Sequence, residues 1–98
     1  MTEDTHRDVV IDGTVWHPIE AGELARHLAR YVSEDHDLMD AAKSLAERIG
    51  HHVEIAHGEP IVLTDDERKV AYTVLNEWRQ YSDIPDVVNT LYEQLHAT

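Results

Sequence analysis

Histidine offers this chain most of its candidate chemistry: eight occur, and His51, His52 and His57 fall within one short stretch. Imidazoles titrate near neutral pH and ligate metals. Read as a strand from His51 to Ala56, the stretch has His51, Val53, Ile55 and His57 on one face and His52, Glu54 and Ala56 on the other. A metal site needs several converging ligands, and neither HExxH nor a comparable spacing occurs. These residues therefore read as exposed imidazoles at a strand end, with no metal and no cofactor expected. The acidic run Glu34, Asp35, Asp37 and Asp40 invites comparison with a calcium loop. It fails, because Asp40 stands where such a loop needs glycine and Ala46 where it needs glutamate.

Nucleophiles fare no better. No GxSxG elbow surrounds Ser33, Ser44 or Ser82, no glycine-rich phosphate loop is present, and there is no cysteine to serve as nucleophile, thiolate ligand or disulfide. Carboxylate and histidine acid–base chemistry is the only catalysis these residue types allow. A minor metal-dependent or acid–base enzyme is therefore the alternative, and a non-catalytic protein is the main reading.

Charge points to surface recognition. Twenty acidic residues against eight basic ones give a formal charge of −12, which repels nucleic acid and favours a basic protein partner. Direct nucleic acid binding is not expected. The acids could imitate a phosphate backbone for a DNA-binding protein, but they also sit where helices want anions. Glu20 and Glu23, Asp37 and Asp40, Asp65 to Glu67, and Asp83 and Asp86 all lie near expected helix starts. Among the aromatics, Trp78 and Tyr92 fall on apolar stripes. Tyr72 falls off its stripe and Trp16 lies beside Pro18 on an expected edge strand, so Trp16 and Tyr72 are the candidates for contact with another chain.

The elements that must position these residues follow from local pattern. Val9 to Trp16 holds Asp12-Gly13 between two β-prone runs, the signature of a tight type I′ hairpin. A first helix is expected from Glu20 to Val32, with Ala21, Leu24, Ala25, Leu28, Tyr31 and Val32 inward. A second should run from Leu38 to Ile49 and stop at Gly50. His51 to Ala56, a turn at His57 to Glu59, and Pro60 to Leu63 read as a second hairpin. Thr64 and Glu67 then form a capping box for a third helix with Val70, Ala71, Val74, Leu75 and Trp78 inward. The fourth helix, Ile84 to His96, buries Val87, Val88, Leu91, Tyr92 and Leu95.

The resulting fold class is α+β: four amphipathic helices with a small antiparallel sheet of two hairpins. A shift of 46 residues lays Asp37–Ile49 on Asp83–Leu95, with an Asp expected to cap each helix, so pseudo-repeats at 8–50 and 51–96 are expected within one domain spanning 8–98. Residues 1–7 read as a disordered N-terminus. With no leader pattern and no membrane-length apolar run, a cytoplasmic protein is expected. The functional expectation is a small acidic interaction or regulatory module that forms a homodimer.

Overall fold

Alternating burial builds the first element. Val9, Ile11, Thr14 and Trp16 are buried while Val15 is exposed, so β1 (Val9–Ile11) and β2 (Thr14–Trp16) pair antiparallel with one face inward. Asp12 and Gly13 both take positive φ, 49° and 91°, the two-residue turn that an Asp-Gly pair favours. The computed structural model describes residues 8–55, 60–81 and 83–97, so the disordered terminus expected at residues 1–7 and the turn expected at His57 to Glu59 lie outside the described residues.

Four helices follow: α1 (Pro18–Ala29), α2 (His36–Ile55), α3 (Asp65–Trp78) and α4 (Asp86–Ala97). The fold is thus α+β, with four helices and a two-stranded antiparallel sheet. α1 packs on α2, α2 on α3 and α3 on α4, while α4 also contacts β2 and α2 contacts β1. The shared core includes Leu24 and Leu28 of α1, Leu45 and Ile49 of α2, Val70 and Leu75 of α3, and Val88 and Leu91 of α4.

Several boundaries differ from the sequence expectation. α1 begins at Pro18, where the missing amide costs nothing, and His17 caps it by accepting a 3.2 Å hydrogen bond on Nδ1 from the Ile19 amide. It ends at Ala29, leaving Val32 in the following loop, exposed rather than on the core stripe.

The larger correction concerns the second hairpin. His51 to Ile55 continue α2 instead of forming a strand, because Val53 follows Ile49 at helical spacing and packs on the core. In place of a second strand pair, Ile61 bridges β1 in parallel. Its amide donates to Val10 O at 2.7 Å, and its carbonyl accepts from the Asp12 amide at 2.8 Å. The strands of the second pseudo-repeat are therefore not seen among the described residues. The helical stripes that the 46-residue shift aligns, Ala42, Leu45, Ile49 and Val88, Leu91, Leu95, are all buried.

Gly50 lies inside α2 rather than ending it, and apart from its chain neighbours and the helix's own backbone nothing lies within 4 Å of where a Cβ would stand. Gly50→Ala should raise stability by about 0.5–1 kcal/mol, because alanine loses less backbone freedom in a helix interior. A denaturation midpoint that falls would mean that Gly50 terminates the helix.

Capping was also redistributed. The Asp35 carboxylate caps α2, accepting from the amides of Asp37 at 3.0 Å and Leu38 at 3.4 Å; Asp37 sits in the first turn instead. α4 begins at Asp86, after Asp83 rather than directly at it. The α3 box forms as expected, with Thr64 Oγ1 accepting from the Glu67 amide at 3.2 Å and Glu67 Oε1 accepting from the Thr64 amide at 3.0 Å. Thr64→Ala should cost about 0.5–2 kcal/mol, read as a lower urea midpoint with an unchanged slope.

Candidate functional site

Tyr72 and Trp16, the two residues singled out for partner contact, have opposite fates. Trp16 is 0% exposed. It shares the inner face of the hairpin with Val9, and α1 begins two residues later, so the indole is covered rather than left on an edge. Its Nε1 donates to Thr14 Oγ1 at 2.8 Å, Thr14 in turn donates to Ile11 O at 2.7 Å, and its ring lies 6.2 Å from that of Trp78. A buried indole with its polar handle satisfied is a core residue, which removes Trp16 from any contact surface.

Tyr72 is half-buried on the face of α3 that meets α4. Its ring stacks on Tyr92 at 4.9 Å between centroids, with His96 stacked at 5.9 Å, and the Tyr72 hydroxyl lies 3.2 Å from both the Tyr92 hydroxyl and His96 Nδ1. The hydrogen bond to Tyr92, with partial desolvation and the Tyr92 charge, holds the Tyr72 phenol above its ordinary range. It therefore remains a protonated hydrogen-bonding group at neutral pH. Arg79 extends the stack, its guanidinium 4.1 Å from the Tyr92 ring centre while Nε donates to Asn89 Oδ1 at 2.8 Å. Alongside the stack runs a groove of about 670 Å³ lined by Asp65, Arg68, Lys69, Tyr72, Leu95 and His96.

A second, acidic groove of about 340 Å³ lies between the N-terminal parts of α2 and α3, lined in part by Asp37, Asp40, Ser44, Asp66 and Glu67. Because Asp35 and the Thr64–Glu67 pair do the capping, Asp37, Asp40 and Asp66 remain as exposed carboxylates. The helix N-termini still favour them electrostatically, since Asp37 and Asp66 lie in first turns. Glu67 also lines this surface, but its carboxylate is buried and engaged. Both its oxygens lie 2.9 Å from the same Arg48 nitrogen, and a second Arg48 nitrogen donates to Val62 O at 3.2 Å.

Among the described residues the histidines do not converge on a metal site, and His57 lies outside them. His51 and His52 are neighbours on α2, His52 Nδ1 lies 2.8 Å from Arg48 O, and no group of three or more candidate metal ligands occurs among the described residues. His27 instead packs against Trp78 with the rings tilted by 37°, 4.6 Å between centres. Burial, with Arg30 and Arg26 nearby, lowers its pKa and favours the neutral ring, against a weaker opposing pull from Glu23 and Glu77.

Sequence reasoning missed the Tyr72–Tyr92–His96–Arg79 assembly. The only sequence signals were the i, i+4 spacing of Tyr92 and His96 and the i, i+7 spacing of Tyr72 and Arg79, each confined to one helix. No described helix is long and apolar enough to cross a membrane. Fold and surface together define a small α+β domain with two shallow grooves of unlike charge. The chain matches no protein-family profile, no curated protein and no solved structure.

Proposed function

We propose that this chain is a small, acidic, non-catalytic protein–protein interaction or regulatory module that binds a basic partner. The observation that carries this reading is the α2–α3 groove, where Asp37, Asp40 and Asp66 line one concave surface with their carboxylates exposed. A lysine or arginine side chain entering it would meet charge from two helices, and the formal charge of −12 would speed its approach.

A Lys/Arg-rich synthetic peptide tests this in calorimetry at several salt concentrations. The triple variant Asp37→Asn/Asp40→Asn/Asp66→Asn should weaken binding by about tenfold near 0.1 M salt, roughly 1.4 kcal/mol. A control with the same net charge, Glu47→Gln/Glu54→Gln/Glu93→Gln, removes exposed acids that do not line the groove and should bind nearly as wild type does. Equal losses in the two variants would reduce the binding to net charge and overturn the site. Histidine protonation makes the formal charge less negative than −12, so affinity should also fall as the pH is lowered from neutral, with His27 contributing late because burial favours its neutral ring.

A further inference from the structure

The groove beside Tyr72 carries the opposite charge, and the chain itself presents a segment that complements it. Arg68 and Lys69 stand together there with His96, and Asp65 is the one acidic residue among its described lining. In a chain with eight lysines and arginines against twenty acids, two adjacent cations on one concave surface are a local reversal of sign. Their donors are also under-used. Arg68 Nε is shielded from solvent without a hydrogen-bond partner, its guanidinium lies 3.8 Å from Asp12, and Lys69 is exposed with no ion pair to any described residue. The half-buried Tyr72 ring, with the edge of Leu95, which is 8% exposed, adds a small apolar wall beside these charges.

The complement is the loop between α1 and α2. Val32 is 82% exposed, the most exposed large apolar residue described, and Glu34 and Asp35 beside it are exposed too. Asp35 is occupied as the cap of α2, whereas Glu34 carries no hydrogen bond or ion pair to a described residue. An apolar side chain two residues from a free carboxylate is the chemistry a groove pairing Leu95 and Tyr72 with Arg68 and Lys69 would take.

We propose that this groove receives the Val32–Glu34 loop of a second copy of the chain, with Val32 against Leu95 and Tyr72 and the Glu34 carboxylate on Arg68 and Lys69. Made reciprocally, the contact closes a twofold dimer in which each copy gives one loop and one groove. This goes beyond the basic-partner reading and uses different residues. Each copy is strongly acidic, so the dimer forms against long-range repulsion and is best measured near 0.15 M salt, where the screening length is about 8 Å.

Reciprocal charge exchange provides the test, by sedimentation velocity up to concentrations on the order of 500 µM. Wild type should associate reversibly. Arg68→Glu/Lys69→Glu alone and Glu34→Lys alone should each weaken association by at least about tenfold, since each variant opposes like charges at both contacts. An equimolar mixture of the two should regain association, because groove and loop are then complementary in both directions. Lys69→Glu alone, at an exposed position, replaces the double variant if circular dichroism shows that the latter does not fold. A monomeric wild type, or a mixture of folded variants that stays monomeric, overturns the proposal. Variants that associate as strongly as wild type also overturn it and put the contact elsewhere, such as the exposed Val15 and Val62. Binding of the Lys/Arg-rich peptide should persist in the groove variants, so the two readings can fail separately.

Discussion

Trp16→Ala should lower the unfolding free energy by about 3–5 kcal/mol, the usual cost of truncating a fully buried large aromatic. The loss has two parts. The larger is the cavity left beneath the hairpin, where the indole is 0% exposed and faces Trp78. The smaller is the hydrogen bond from Nε1 to Thr14 Oγ1. Trp16→Phe keeps most of the volume and drops the donor, and Thr14 still donates to Ile11 O, so it should cost distinctly less than the alanine variant. Small domains are stable by only about 5–15 kcal/mol, so Trp16→Ala consumes a large share of that margin. Urea denaturation followed by far-ultraviolet circular dichroism reads both variants. A Trp16→Ala midpoint close to wild type would place the indole at the surface. The same cost makes Trp16 a poor probe of self-association, because loss of a dimer and loss of the fold would look alike.

Glu67→Ala should cost about 2–3 kcal/mol, more than either a cap or an exposed ion pair alone. Its side chain is 5% exposed and serves two partners, the Thr64 amide and Arg48, which joins α2 to the start of α3. Arg48 is 38% exposed and can be rehydrated when the carboxylate goes, which keeps the cost below that of breaking a fully buried pair. Removing Arg48 instead strands the more buried member, so Arg48→Ala should be at least as costly despite its greater exposure. The double variant should cost less than the sum of the two single ones, because each single variant already loses the same contact. Strict additivity in chemical denaturation would show that the ion pair contributes nothing beyond the cap.

Tyr72 illustrates the limit of periodicity as a guide to function. It lies off the stripe of Val70, Ala71, Val74, Leu75 and Trp78, all of which are buried, and is itself only partly buried. Its neighbours were another matter. Tyr92 and His96 reach it from α4, and that meeting depends on how α3 and α4 pack rather than on any spacing within either helix. The acidic groove has the same character. Asp37, Asp40 and Asp66 were legible as helix-start residues, but their convergence required α2 to lie beside α3.

What the sequence determined by itself were features whose causes lie within a few residues. Asp12-Gly13 could form the hairpin turn because these residues tolerate positive φ, and Thr64 with Glu67 could close the capping box because their partners are three residues apart. The four apolar stripes belong to the same class, since one helical period suffices to align them. Tertiary structure alone decided the rest. Val53 and its neighbours satisfy both a strand pattern and a continuation of α2; the core beneath Ile49 settles the matter, because packing Val53 there favours the helix despite the cost of Gly50. Likewise Ile61 was extended on either reading. Only the backbone groups of Val10 and Asp12, left free on the outer edge of β1, made it a parallel bridge rather than half of a second hairpin.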